Sequence, residues 1–435
     1  MKATRWYSVV WIALLLFALT ACVPAAEAPA EGEVAEILFW DQFPDVSDQM
    51  DAIVADFNEA HPDINVTRES YDSQALLNVI KPALTSGTGP DIFYLNLGPA
   101  EAGVLAAADL LLPLDDSYAE KGWDQRLYDW TRQRATYDGK SYGVANELEF
   151  IGVYYNKSMF EENGWALPES WDDLMVLCDA ANEADVIPMA FTNGDSWPSY
   201  HMFSLVMNNQ VGQERLAAMI SGEESWDNED TVKAISRFFV EARENGCFID
   251  DVNSVNYDDG NSLFQSGQAA MLPTGTWMTD ALSDPDQTSV DVGFFFMPSF
   301  DGNPVTVPGG IGSGWLVSAA SEHPEATLEF LDYLVSEEMG QRWVTEINAV
   351  PAYPVATEGL DLPPLQEFAF GIIEEQADSM GYNIDVLTPA NYNKVMWDGF
   401  AAVLAGAKTA EEQVADLEAA MQEAIEAGDV LDITP

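Results

Sequence analysis

The chain has 435 residues, enough for two domains, and 48% are hydrophobic, so it folds into packed cores and is not an acidic disordered tail. Seventeen Lys and Arg stand against 73 Asp and Glu, a formal net charge of −56. Such a chain cannot assemble the cationic face that nucleic acid requires, and the excess acid reads as a heavily solvated, salt-adapted surface.

Lys2 and Arg5 precede an apolar run, Val9 to Leu19, that is too short for a membrane span, and Leu19-Thr20-Ala21-Cys22 follows. Residues 1–21 are expected to be a signal peptide, and 22–35, rich in Ala, Pro and Glu, a flexible tether. An ordinary signal peptide with a chance cysteine is the alternative. Export would permit a disulfide between Cys178 and Cys247, although two buried thiols are the default reading.

The body opens with strand Ile37 to Trp40, a helix bearing Val46, Met50, Ile53, Val54 and Phe57, and strand Ile64 to Val66. Helix Gln74 to Thr85 and strand Asp91 to Leu95 continue the alternation, which predicts an α/β fold with a parallel sheet. The stretch Tyr137 to Lys157 then places Asn146, Glu147 and Glu149 in the middle of what should be buried strand. A buried carboxylate is costly unless paired or wetted, so this strand is expected to cross a cleft between two lobes. Beyond it come a helix capped by Ser170, an amphipathic helix from Thr231 to Asn245, and a short helix from Asp259 to Ser266. Strands follow at Ala269 to Leu272, Val290 to Met297 and Leu316 to Ser318, then a helix from Pro324 to Val335 and two final helices between Pro389 and Ala427.

Several segments resemble the extracytoplasmic solute-binding proteins of ABC importers, of the sugar-binding kind to which maltose-binding protein belongs. They are Phe39-Trp40; FNEAHPDINV from Phe57; SGTGPDIFY from Ser86; YDGKSYG from Tyr137; Tyr155-Asn156-Lys157 with Trp171-Asp172-Asp173; FQSGQAAMLPTGTW from Phe264; and PEATLEFLDYL from Pro324. Their order and spacing span nearly all of the mature chain. The resemblance implies a two-lobed fold, each lobe a mainly parallel sheet flanked by helices. Lobe 1 would hold 36–145 and 300–348, and lobe 2 149–297 and 351–435. The crossovers would be the Glu147 stretch, Met297-Pro298 and Ala349 to Pro351. The residues before Cys22 resemble a bacterial lipobox, which implies lipidation at Cys22 and an extracytoplasmic, membrane-tethered protein. The implied partners are a small carbohydrate and the membrane subunits of an ABC permease; a monomer without cofactor or metal is expected.

A sugar site combines flat aromatic rings with directional carboxylates and amides. The candidates are Trp40, Asp41, Gln42, Tyr94 and Asn96 at strand ends, Glu147 and Glu149 in the crossover, and Trp197 in a loop from Asn193 to Tyr200. Trp277 after Gly275-Thr276, Gly310 in a loop at the cleft edge, Tyr353, Tyr392 and Asn393 complete the set. Trp40 and Trp197 could equally be core, Tyr94 sheet core, and Asp41 only a helix cap. These loops hold almost no Lys or Arg, which favours a neutral sugar over an anionic one and leaves room for a cation in an aromatic cage. The competing class is an exported glycoside hydrolase. Against that class, the three His show no metal-ligand spacing and no serine elbow is present.

Overall fold

A computed structural model describes residues 34–300, 303–376, 380–431 and 433. Cys22 and the expected signal segment lie outside the described residues. Strand β1, Ala35–Asp41, turns Ile37 and Phe39 into a core that also takes Met50, Ile53, Val54 and Phe57 from helix α1, Ser47–Ala60. Strand β2, Ile64–Ser70, and helix α2, Ser73–Ser86, follow. The Asp72 carboxylate caps α2 by accepting from the Ala75 amide at 2.8 Å, and Gly87 ends it at φ 73°, where a side chain would be strained. Strand β3, Ile92–Asn96, completes the series, and β1 pairs in parallel with both β2 and β3, as helical crossovers require.

The first lobe's sheet is finished by Ser313–Val317, antiparallel to β3, and then by Gly143–Ala145. The second lobe has its own sheet, ordered Val292–Phe295, Leu148–Asn156, Ala269–Gly275 and Ile187–Met189. Only the last pair is parallel, so the expectation of a mainly parallel sheet is corrected for this lobe. Leu148–Asn156 leaves the first lobe, whereas both of its neighbours run back towards it.

The chain changes lobes at three places that lie together. Asn146-Glu147 separates Gly143–Ala145 in one sheet from Leu148–Asn156 in the other. The return occurs at Gly312, between Gly309–Ile311, paired with Leu148–Phe150, and Ser313–Val317. Met297 and Phe300 are buried in the second lobe's core, so the second crossing falls later than Met297-Pro298. Pro351 bridges to Glu147, yet Tyr353 remains in the first lobe's core, and the chain reaches the second lobe through the helix Pro364–Gln376. Four backbone bonds stitch these passages: Leu148 N to Val350 O, Ala352 N to Asn146 O (both 2.8 Å), Asn146 N to Ser313 O (3.3 Å) and Leu97 N to Gly312 O (3.2 Å).

Cys178 and Cys247 form a disulfide, which corrects the default of two thiols. The chain after Gly246 runs in beside Ile187–Met189, with Met189 N donating to Cys247 O, and so meets the helix Trp171–Glu183 that carries Cys178.

Asp41 ends β1 with its carboxylate fully buried against Arg68 of β2: Nε reaches Oδ2 at 2.5 Å and Nη2 reaches Oδ1 at 3.0 Å. The same carboxylate accepts from the Phe43 amide. Removing one partner of a buried pair strands the other charge. Arg68→Met is therefore expected to cost about 3–5 kcal/mol in a urea unfolding experiment, whereas loss of the exposed Asp51 contact in Asp51→Asn should cost under about 1 kcal/mol.

Candidate functional site between the lobes

A cavity of about 80 Å³ lies between the lobes. That is several times the roughly 10–15 Å³ that one water needs. The first lobe lines it with Gln74 of α2, with Asn96 at the end of β3, and with Glu101 in the turn Pro99–Gly103. The second lobe lines it with Trp197 and Tyr200, with Asp385, and with Asn393 and Trp397. Backbones meet here too: a Cβ on Gly98 would lie 2.1 Å from the Val386 carbonyl, so only glycine permits this approach. The lobes are closed on each other.

Trp197 opens the helix Trp197–Val211 and is not in a loop as the sequence suggested; Pro198 in its first turn suits a helix start. Its ring is backed by Tyr257 at 4.3 Å, by His201 at 5.1 Å and by Trp277 at 6.1 Å between centroids. Trp277 stands behind the cavity lining, folded over Gly275, with its Nε1 donating to the Tyr257 hydroxyl at 2.8 Å. Asn96 accepts from the Gly98 amide, which shapes the turn that presents Glu101. Asn393 donates to the Asp385 carbonyl and accepts from Thr388, holding the Asp385 loop.

Glu147 and Glu149 sit at the crossing itself, where no described cation pairs with either. A Cβ on Gly312 would fall onto the Glu149 carboxylate, so the returning strand passes directly over it. Burial raises Glu147 to about 7 and Glu149 well above the usual carboxylate range, the latter with help from Glu147 and Asp385. Burial raises Glu101 to about 8, with Asp385 adding to it. Asp385 is raised as well, by burial, with His201 opposing. Gly310 pairs with Glu149 across the hinge at φ 138°, with Arg134 against its open side.

Of the thirteen residues singled out from sequence, the structure brings Asn96, Trp197 and Asn393 to the cavity wall, with Trp277 behind them and Glu147, Glu149 and Gly310 at the hinge. The others lie off the cavity wall. Asp41 neutralises Arg68 and does not cap a helix, since the residue at the N-cap of α1 is Val46. Trp40 packs on Tyr71, and Gln42 beyond it is only partly buried. Tyr94 is wedged between Phe43 and Trp315 with its hydroxyl bonded to Asn146 and Ser313, so it belongs with Glu147 and Glu149 at the hinge and not on the cavity wall. Tyr353 is core of the first lobe, and Tyr392 packs on Trp226 in the second. Sequence reasoning missed Gln74, Glu101, Tyr200, Asp385 and Trp397; the one available signal was Trp397, an aromatic in an otherwise solvated face of its helix.

Two lobes joined at a three-passage hinge and closed over a cavity define a two-lobed solute-binding fold. Residues 40–341 match the model of the bacterial extracellular solute-binding protein family, and the chain belongs to that family. The multiple sugar-binding protein of Streptococcus mutans is 24% identical over 84% of this chain and 88% of its own length. The maltodextrin-binding protein of Bacillus subtilis is 22% identical over 82% of each. Among solved structures, a chitin oligosaccharide binding protein aligns with a TM-score of 0.80 at 23% identity, over 90% of this chain and 99% of its own. RafE in complex with raffinose aligns with a TM-score of 0.70 at 21% identity, again over 90% and 99%. At those identities the structural likeness is one of fold.

A carboxyl whose pKa is raised in the folded state binds protons more tightly there than in the unfolded chain, so its contribution to stability falls as pH rises through that interval. For Glu101 the interval runs from 4.5 to about 8. Glu101→Gln is expected to raise the melting temperature above the interval, at about 2–4 °C per kcal/mol, and to leave it unchanged below; calorimetry at both ends checks this.

Proposed function

We propose that the protein is the substrate-binding subunit of an ABC importer, which captures a small saccharide between its lobes and delivers it to a membrane permease. It works as an extracytoplasmic monomer held to the membrane through a lipid on Cys22. The observation that carries this reading is the cavity wall: aromatic faces, Trp197, Tyr200 and Trp397, come from one lobe, and amide and carboxyl groups, Gln74, Asn96 and Glu101, from the other. Ring C–H faces pack on the first set and hydroxyls bond to the second. The family and its sugar-binding relatives are binding proteins, which supports capture without bond breaking. The scarcity of Lys and Arg on the wall disfavours sugar phosphates and sugar acids.

Tryptophan fluorescence titration against a panel of neutral and amino mono- and oligosaccharides, with chromatography of the mixtures, tests this. The expected result is a saturable signal with no new products. Trp197→Ala should weaken affinity at least about tenfold, roughly 1.4 kcal/mol, with unchanged circular dichroism. Hydrolysis products would overturn the reading in favour of a glycoside hydrolase.

A further inference from the structure

Closure brings together carboxyl groups from parts of the chain that are separate when the lobes part. Glu101 belongs to the first lobe and Asp385 to the second; both line the same cavity, and Asp385 raises the cost of ionising Glu101 and Glu149. The groups facing them are few. Glu101 accepts from the Asn96 backbone amide and lies near the Tyr137 hydroxyl, which itself donates to Leu97 O. Asp385 faces His201, whose Nε2 is 3.7 Å from Oδ2, and Tyr200, which also feels Asp398. Burial lowers the pKa of His201, with Asp385 opposing, so it is a weak counter-charge near neutrality. Arg134 is engaged over the Tyr382 ring at 5.2 Å.

Around the same space, three buried polar atoms have no partner: Asp385 Oδ1, the Tyr200 hydroxyl and His201 Nδ1. Tyr200 is only 5% exposed, lines the cavity and leaves its hydroxyl without a partner. Buried polar atoms are satisfied in nearly all native structures, and Tyr200 and Asp385 line the cavity where a polar partner could reach them. A neutral saccharide would satisfy lone pairs yet leave Glu101 and Asp385 either to repel each other or to take up protons. A cation removes that repulsion, and the faces of Trp197 and Trp397 favour it further.

We infer that the captured saccharide carries a protonated amine, seated between Glu101 and Asp385 with the Trp197 and Trp397 rings beside it. The saccharide half of this statement rests on the function proposed above; the amine half rests on the carboxyl pair alone.

The two ligand types differ in the sign of their pH dependence. A neutral ligand that closes the lobes forces proton uptake by Glu101 and Asp385, so its affinity rises as pH falls from about 7 to about 5. An amine takes the place of those protons, so its affinity holds or falls over the same range. Calorimetric titration of the full-length protein with matched pairs, glucosamine and glucose, galactosamine and galactose, and their β-1,4-linked dimers, together with spermidine and choline, decides the matter. The expected result is an amino sugar bound at least about tenfold tighter than its hydroxyl counterpart near neutral pH, without a gain at lower pH. Glu101→Gln and Asp385→Asn should each bring the ratio of amino-sugar to hydroxyl-sugar affinity to within about threefold of one. If Asp385→Asn fails to fold, Glu101→Gln and the wild-type pH profile carry the test. Equal or tighter binding of the hydroxyl sugar, strengthening as pH falls, overturns the amine and leaves the saccharide reading standing. Binding of spermidine or choline alone does the reverse. No heat with any of these probes counts against both.

Discussion

The structure depends on carboxyl groups held where the chain passes between lobes. Glu147 and Glu149 lie on the first passage, the second passes over Glu149 at Gly312, and the third bridges to Glu147 at Pro351. An ionised carboxylate taken out of water costs several kcal/mol unless it is paired, and neither acid has a cationic partner among the described residues. In the closed arrangement they must be protonated or compensated. Closure therefore carries an electrostatic cost that protonation of these acids relieves. The backbone bonds that stitch the three passages keep the acids in place.

That constraint connects to the composition. The few cations of this acidic chain are mostly committed elsewhere: Arg68 to Asp41, Arg132 to Asp115 and Asp124, Arg215 to Glu224 and Asp230, Arg342 to Asp56 and Glu346. These pairs hold helices and strands of one lobe together. Little positive charge is left for the cleft, so the sign of the site follows from how the scarce guanidinium groups are used.

Much of this was legible in the sequence. The alternation from Ile37 to Leu95 predicted β1 to β3 and their helices, because each element buries one face and shows its period. The hinge was legible for the opposite reason, since Glu147 and Glu149 break the apolar pattern of a strand. What could not be read was whatever depends on contact between distant segments. Glu101 and Asp385 sit in short irregular stretches far apart in the chain, and only closure makes them neighbours. The helix Trp197–Val211 is buried on nearly every side and shows no polar stripe, so Trp197 looked like a loop residue. Asp41 gave no hint that Arg68 would claim it, because cross-strand pairing depends on register. The late crossing at Gly312 was hidden because Met297 and Phe300 are as apolar as a hinge strand would be.

The central claim is that the lobes move about this hinge and that protonation and ligand draw on the same closure. Fluorescent labels on Val79→Cys in α2 and Lys394→Cys in the helix Ala390–Leu404, one on each lobe, report the distance across the cleft in single molecules. The account requires two distances in the ligand-free protein, with the shorter one gaining population both on saturation with ligand and, without ligand, as pH falls from about 8 to about 5. A single distance that neither ligand nor pH shifts would contradict it.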